Sequence, residues 1–304
     1  MSEAAPAFQA DDHKFYLLDA SGFIFRAYHA LPPLTRSDGT PVGAVMGFCN
    51  ILYKLLCDLK ASHVAVIFDA KRENWRHELY KDYKANRPEP PEDLIPQFAL
   101  IREATKAFNL QPLEVEGYEA DDLIACYAKS AKAAGYEVVI VSSDKDLMQL
   151  IEDGVMMWDP IKQKPLGAPE VFEKFGVGPD KVVEVQSLIG DSTDNVPGVP
   201  GIGPKTAAEL INTYGDLETV LARAPEITKP KLRENLITFA EQARISHKLV
   251  KLSCDAPLPA TLDSLVTPKW NGPDLIAFLQ YNNFKSLLNR IGTNGVNPTP
   301  SKAA

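Results

Sequence analysis

The sequence predicts an α/β unit built on a mostly parallel sheet flanked by helices, followed by an all-helical region. Three observations carry that reading. Short apolar runs rich in β-branched and aromatic residues recur at 15–18, 64–68, 138–141 and 155–158 with little internal alternation, as expected of strands buried on both faces. Stretches with helical periodicity lie between them: Phe48, Leu52, Leu55, Leu56 and Leu59 share one helix face, and Leu123, Ile124, Tyr127 and Ala131 another. From about residue 187 the strand-like runs stop, and helical stretches punctuated by Gly and Pro take over.

Residues 1–13 are small, polar and acidic, without the basic-then-apolar order of a signal peptide, and read as a disordered leader. The α/β core is expected over 14–186. Within it, 71–96 stands apart as a basic excursion: Arg76, Tyr83, Lys84 and Arg87 are interleaved with aromatic residues, and a Pro-rich stretch follows from Pro88 to Pro96. Such a segment, placed directly after an acidic strand end, reads as a substrate-facing arch. The helical region is expected over 187–290. Pro204 suits the first turn of a helix reaching about Thr213, and further helices are expected at 216–224, 229–251 and 273–290. Residues 291–304, rich in Gly, Asn, Pro, Thr and Ser, read as a linker or frayed end.

At 304 residues, 45% apolar and 24% charged, the chain has enough material for cores that need no disulfide staples. Its four cysteines lack metal-ligand spacing. No apolar run approaches the ~20 residues of a membrane span. The net charge of −8 argues at first against nucleic acid. Basic residues nevertheless gather locally, six Lys or Arg against three acids over 71–87 and six against two over 229–251, and local patches can bind phosphate on an acidic protein.

Nine acids account for much of that charge. Asp19, Asp69, Asp144 and Asp146 follow the ends of the apolar strands, where ligands of parallel sheets bind. Glu119, Asp121 and Asp122 open an amphipathic stretch, and all three converge only if its helix begins near Asp121. Asp191 and Asp194 precede a Gly/Pro-rich loop. Brought together, these carboxylates repel one another unless cations intervene. With no His or Cys among them, the donor set suits Mg²⁺ or Mn²⁺. Two such ions imply in-line phosphoryl displacement, hence phosphodiester hydrolysis. The loop from Gly198 through Gly201, Ile202 and Gly203 to Lys205 and Thr206 lets backbone N–H groups and a helix N-terminus meet phosphates without reading bases.

The strings Leu17-Leu-Asp-Ala-Ser-Gly22 with Arg26, Phe68-Asp69, Tyr83-Lys-Ala-Asn-Arg87, Gly117-Tyr-Glu-Ala-Asp-Asp122, Ser142-Ser-Asp-Lys-Asp146 and Gly190–Ala207 resemble the 5′ nuclease, or flap endonuclease, superfamily. The match is to the N-terminal 5′→3′ exonuclease domain of bacterial DNA polymerase I, and it covers roughly residues 14–290. The resemblance implies a PIN-like, resolvase-like core followed by a helix–three-turn–helix domain. It further implies one metal at Asp19, Asp69, Glu119 and Asp121, a second at Asp144, Asp146, Asp191 and Asp194, and Asp122 near both. Lys84 matches an arch lysine at the scissile phosphate, with Arg76, Tyr83 and Arg87 beside it and Arg26 near the substrate's 5′ side. The loop of Gly198, Gly201, Ile202, Gly203, Lys205 and Thr206 matches the duplex-gripping element, often built around K⁺. The expected partner is flapped, nicked or RNA-primed DNA, met by a monomer in the bacterial cytoplasm at the nucleoid, with a separate DNA polymerase as a further partner and no membrane. Polymerase I relatives continue into proofreading and polymerase domains, so the resemblance implies a free-standing nuclease or a detached N-terminal part, without polymerase activity. A non-catalytic junction-binding module is the rival reading.

Overall fold

The computed structural model describes residues 13–59, 61–70 and 73–294. The expected leader lies outside them except for His13, as do Lys71 and Arg72 of the basic excursion and the chain beyond Asn294.

The predicted strands are present as β1 (Lys14–Asp19), β2 (His63–Ile67), β4 (Glu137–Val141) and β5 (Val155–Asp159). Two short strands escape the hydrophobic pattern, β3 (Pro112–Leu113) and β6 (Lys164–Leu166). Among the described residues the sheet order is β3-β2-β1-β4-β5-β6, parallel throughout except that β6 runs antiparallel to β5. Leu18 pairs with both Val66 and Val141, so β1, β2 and β4 end level with one another. That register carries Asp19, Asp69 and Asp144 to the same end of the sheet.

Alternate side chains of the central strands feed two cores. Phe15, Leu17, Ala65, Ile67, Val138 and Ile140 pack with α5 (Ala120–Ala133) and, continuously, with α6 (Ala168–Phe175), α7 (Val182–Ile189), α8 (Pro204–Tyr214) and α9 (Leu217–Ala222). The expected boundary at residue 186 therefore falls inside α7, a helix shared by the sheet and the helical region. Tyr16, Leu18, Val64, Val66, Val139 and Val141 face the other way, onto α1 (Ala20–Ala30), α2 (Gly43–Leu59) and α4 (Ile95–Ala107). The short helix α3 (Trp75–Leu79) lies in the basic excursion.

Two predicted helices are each split. The stretch 229–251 is α10 (Pro230–Thr238) and α11 (Ala240–Val250), divided where Phe239 leaves helical geometry at ψ 21°. The stretch 273–290 is α12 (Pro273–Tyr281) and α13 (Lys285–Asn294). Asn283 ends α12 in the left-handed region at φ 60°, a conformation asparagine tolerates well. Helix α13 overruns the expected start of the tail, and Ile291 is buried with Leu275, Leu279, Phe284 and Leu287 against the α2 and α4 face. No described helix is long and apolar enough to cross a membrane.

Candidate metal centre and nucleic-acid interface

Each acid is delivered by the end of an element. Asp19 ends β1 and caps α1, accepting from Gly22 N at 3.1 Å and from Ser142 Oγ at 2.8 Å. Asp69 accepts from Ala120 N at 2.8 Å and so binds the first turn of α5. Glu119 is the N-cap of α5, in extended geometry. It thereby stands outside the helical spacing that would separate it from Asp121. Asp144 Oδ1 accepts from Asp146 N at 2.9 Å, and Gln186 Nε2 on α7 donates to Asp146 Oδ1. Asp191 accepts from Lys145 Nζ at 2.5 Å. Asp194 is paired with Arg87 and lies 3.6 Å from Lys84 Nζ, which is 2.6 Å from Glu119 Oε1.

Seven of these acids line two cavities. Glu119, Asp121, Asp146, Asp191 and Asp194 line a cavity of about 20 Å³, enough for one water-sized sphere, which needs ~10–15 Å³. Asp19 and Asp144 line a neighbouring recess of about 360 Å³ that also holds Arg26, Lys145 and Lys174. Among the described residues, no three His, Cys, Asp or Glu groups close tightly enough to hold a metal as they stand. The electrostatics nevertheless fit a cation. Burial, with Asp144 and Asp69 nearby, pushes Asp19 up to about 6. Burial, then Asp144, pushes Asp146 to about 7. Asp121 rises well above its ordinary value through burial and the charges of Asp144, Asp19, Glu119 and Asp69. Burial would raise Asp191 as well, but Lys145 reverses this and leaves it lowered. A hard divalent ion is the natural partner of such an all-oxygen set.

Two expected site residues take other places. Asp122 is fully buried and saturated: Arg76 Nη1 and Nη2 donate to its two oxygens at 2.7 and 2.8 Å, Ser253 N at 2.8 Å and Trp75 Nε1 at 3.2 Å. It also accepts from Glu119 N at 3.3 Å, and it is absent from the lining of the acid-lined cavity. Arg76, expected on a substrate-facing surface, is 1% exposed; it donates to the Leu249 and Lys251 carbonyls, and its Nη1 lies 3.5 Å from Glu119 Oε2 in the wall of the acid-lined cavity. Tyr83 is also buried. Its hydroxyl lies 3.2 Å from Glu119 Oε2 and 3.3 Å from Asp194 Oδ2, and burial followed by Glu119 pushes its pKa well above the ordinary phenol value. The arch tip itself is docked: Lys84 N donates to Asp194 O at 2.9 Å, with Lys84 in the left-handed region at φ 55°.

The glycine loop divides similarly. Gly198 has φ 60°, and a Cβ there would stand 2.4 Å from Gly190 N. Its N–H donates to Ser246 Oγ and its carbonyl accepts from Gln242 Nε2. Ile202 is buried in the main core. Both are therefore structural rather than contact surfaces. Gly201, Gly203 and Lys205 are exposed and Thr206 half-exposed. They surround the start of α8, which no side chain caps.

Sequence reasoning missed Ser142, Lys145 and Gln186 as partners of the acids, and Asn74, whose Nδ2 donates to Glu119 Oε1 at 2.9 Å. Gln186 had a signal: a polar residue on the buried face of the apolar stretch Val182–Ile189.

The family model for the N-terminal resolvase-like domain of 5′-3′ exonucleases matches residues 14–176, and that for their C-terminal SAM fold matches 177–273. A DNA polymerase I of Rhizobium leguminosarum is 56% identical over 92% of this chain, which spans 28% of that protein. A 5′-3′ exonuclease of Aquifex aeolicus is 37% identical over 91% of this chain and 94% of its own length. Among solved structures, a T5 5′-exonuclease with bound divalent metal ions has TM-score 0.67 at 20% identity, covering 92% of this chain and 97% of that one. A T5 flap endonuclease in complex with DNA and metal ions has TM-score 0.66 at 20% identity, covering 92% of this chain and 99% of that one. At that identity the structures speak for the fold alone. The family matches and the Aquifex relative, which the chain spans almost end to end, carry the conclusion that the chain belongs to the 5′-3′ exonuclease family.

Proposed function

We propose that this chain is a divalent-metal-dependent, structure-selective 5′ nuclease that hydrolyses phosphodiester bonds near 5′ ends, at flaps, nicks and RNA-primed junctions of duplex DNA. One observation carries this reading. Carboxylates gather beyond the ends of parallel strands, and three of them, Asp19, Asp121 and Asp146, have their ionisation opposed by burial and by the neighbouring charge of Asp144.

In this reading Asp19, Asp69, Glu119 and Asp121 hold one Mg²⁺ or Mn²⁺, and Asp144, Asp146, Asp191 and Asp194 hold a second. Asp122 is left out as the counter-charge of Arg76. Bound there, the ions supply an attacking water of lowered pKa and positive charge beside the phosphate. The protein's own groups do the positioning. Lys84 and Arg87 approach the acids from the arch and neutralise the scissile phosphate. Arg26 meets the strand in the recess that Asp19 and Asp144 also line. Tyr83 fixes Glu119 and Asp194 relative to each other. Exposed Gly201, Gly203, Lys205 and Thr206 receive the duplex backbone at the uncapped start of α8, with K⁺ as a further ligand of that loop. The role that follows is primer removal and repair by a monomer in the bacterial cytoplasm, alongside a separate DNA polymerase.

The test is cleavage of a labelled 5′-flap duplex in Mg²⁺, in Ca²⁺ and in EDTA, with product expected in Mg²⁺ alone. Flap binding that is indifferent to EDTA, with intact substrate in Mg²⁺, would establish the junction-binding module instead.

A further inference from the structure

Helix α11 touches the glycine loop at one end and the acids at the other. Near its start, Gln242 Nε2 donates to the Gly198 carbonyl at 2.7 Å, and the Gly198 N–H donates to Ser246 Oγ at 3.0 Å. Both backbone groups of one loop residue are thus held by a single helix. At the other end, Arg76 Nε donates to the Leu249 carbonyl at 2.8 Å. Gln149 sits in the 3-10 turn Asp146–Leu150 that Asp146 opens. Its Nε2 donates to the Val250 carbonyl and its Oε1 accepts from Leu252 N, each at 3.0 Å. Leu249 and Val250 also pack with Tyr83 and Val196 in a buried cluster of their own. Tyr83 in turn bridges Glu119 and Asp194.

From this we infer that α11 is a ruler: it sets the distance between the duplex-holding loop and the acids, and thereby which phosphodiester is cut. Gln149 and Gln242 are its positioning residues. The inference rests on the nuclease reading above. Geometry gives the scale. Gln242 and Val250 are about 12 Å apart along the helix at ~1.5 Å per residue. Successive phosphates of one strand are ~3.4 Å apart along a duplex. A slip of about one such step at either end of α11 is therefore enough to bring the neighbouring phosphodiester over the acids. Paired bonds at both ends oppose that slip: Gln149 is bonded to the backbone through both its Nε2 and its Oε1, and Gly198 is held by Gln242 on one side and Ser246 on the other, so neither end shifts without losing a bond.

The variants Gln149→Met and Gln242→Met keep side-chain volume while removing these bonds. The readouts are cut position on a labelled 5′-flap duplex at single-nucleotide resolution in Mg²⁺, and affinity for the same duplex in Ca²⁺. Either variant should add cuts at adjacent phosphodiesters while its affinity in Ca²⁺ stays at the wild-type value. The double variant should give the pattern of the single ones, since one strut is loosened in each case. A merely structural role would lower all products alike. Variants that cut more slowly but only at the wild-type position overturn the ruler, as does a loss of affinity without new cuts. A wild-type protein that makes no cut in Mg²⁺ overturns the nuclease reading and the ruler with it.

Discussion

Replacing Asp122 by Ala distinguishes an acid that holds the fold from acids that hold a cation. In the wild type the Asp122 carboxylate is fully buried, and its partner Arg76 is 1% exposed. Asp122→Ala leaves that guanidinium buried with only Glu119, 3.5 Å away, as counter-charge, so the cost falls at the lower end of the ~3–5 kcal/mol for breaking a buried pair. The Ser253 N–H and the Trp75 indole N–H lose their acceptor as well, each worth ~1–3 kcal/mol when left unsatisfied, although such losses are not additive. A net loss of about 4 kcal/mol is a large part of the ~5–15 kcal/mol that a folded domain has in total. Urea unfolding in EDTA, followed by tryptophan fluorescence, should show a lower midpoint with unchanged slope. Adding Arg76→Met to Asp122→Ala should recover most of the loss, because an apolar side chain of similar length needs no partner. Asp144→Ala should behave oppositely: the metal-free protein keeps or gains stability by losing like-charge repulsion, while flap cleavage is abolished. The reasoning is refuted if Asp122→Ala unfolds within about 1 kcal/mol of wild type, the range of an ordinary surface change, yet no longer responds to Mg²⁺.

The raised carboxyls predict a pH dependence. A carboxyl whose folded pKa is raised contributes stability below its unfolded pKa and loses it as pH rises through the folded value. For Asp19 and Asp146 those values are about 6 and about 7, so thermal melts in EDTA should lose stability on going from pH 5 to pH 8. The increase in Tm produced by Mg²⁺ should accordingly be larger at pH 8 than at pH 6, since protons compete with the metal. Lys84→Ala should slow flap cleavage by roughly 10²–10³-fold, the range for removing one group that meets developing charge, with duplex affinity in Ca²⁺ unchanged. Gly198→Ala should destabilise the protein, because its Cβ would lie 2.4 Å from Gly190 N at φ 60°. Gly203→Ala meets nothing within 4 Å and has ordinary backbone at φ −96°, so circular dichroism melts should match wild type while duplex binding weakens.

The four long strands and the acids at their ends were legible because both rest on local pattern: buried runs, and charges placed where such runs stop. What stayed hidden rests on contacts distant in sequence. Arg76 reads as one basic residue among several in an excursion, and nothing local shows that the carbonyls of Leu249 and Lys251 will meet it. Asp122 reads like Asp121, one position earlier, yet adjacent helical positions point in directions about 100° apart. One therefore enters the cavity and the other meets Arg76. Gly198 looked like a phosphate contact because glycine serves two purposes, close approach of a ligand and close approach of another backbone. Only the proximity of Gly190 decides between them. The split helices were recoverable in part, since Asn282-Asn283 is a recognisable helix stop, but Phe239 gave no such sign.

The distribution of basic side chains among the acids carries the argument one step further. Arg76 reaches Asp122 and Glu119, Lys84 reaches Glu119, Arg87 and Lys84 reach Asp194, and Lys145 reaches Asp191. Asp19, Asp121 and Asp146 receive no ion pair of this kind among the described residues, and these are the three whose carboxyls rise. Asp69 and Asp144 have no such pair among the described residues either, so the missing positive charge lies along the strand ends and the first turn of α5, where three of the five carboxyls rise. Those elements surround Asp144, which opposes the ionisation of all three. A cation bound among them removes the repulsion without displacing any lysine or arginine. Lys84 and Arg87 of the arch and Lys145 of the turn after β4, which pair with Glu119, Asp194 and Asp191, reach them on long side chains that can exchange a carboxylate for a phosphate. Fixed acids short of charge and movable bases beside them are complementary halves of one site, the first suited to a metal and the second to a polyanion.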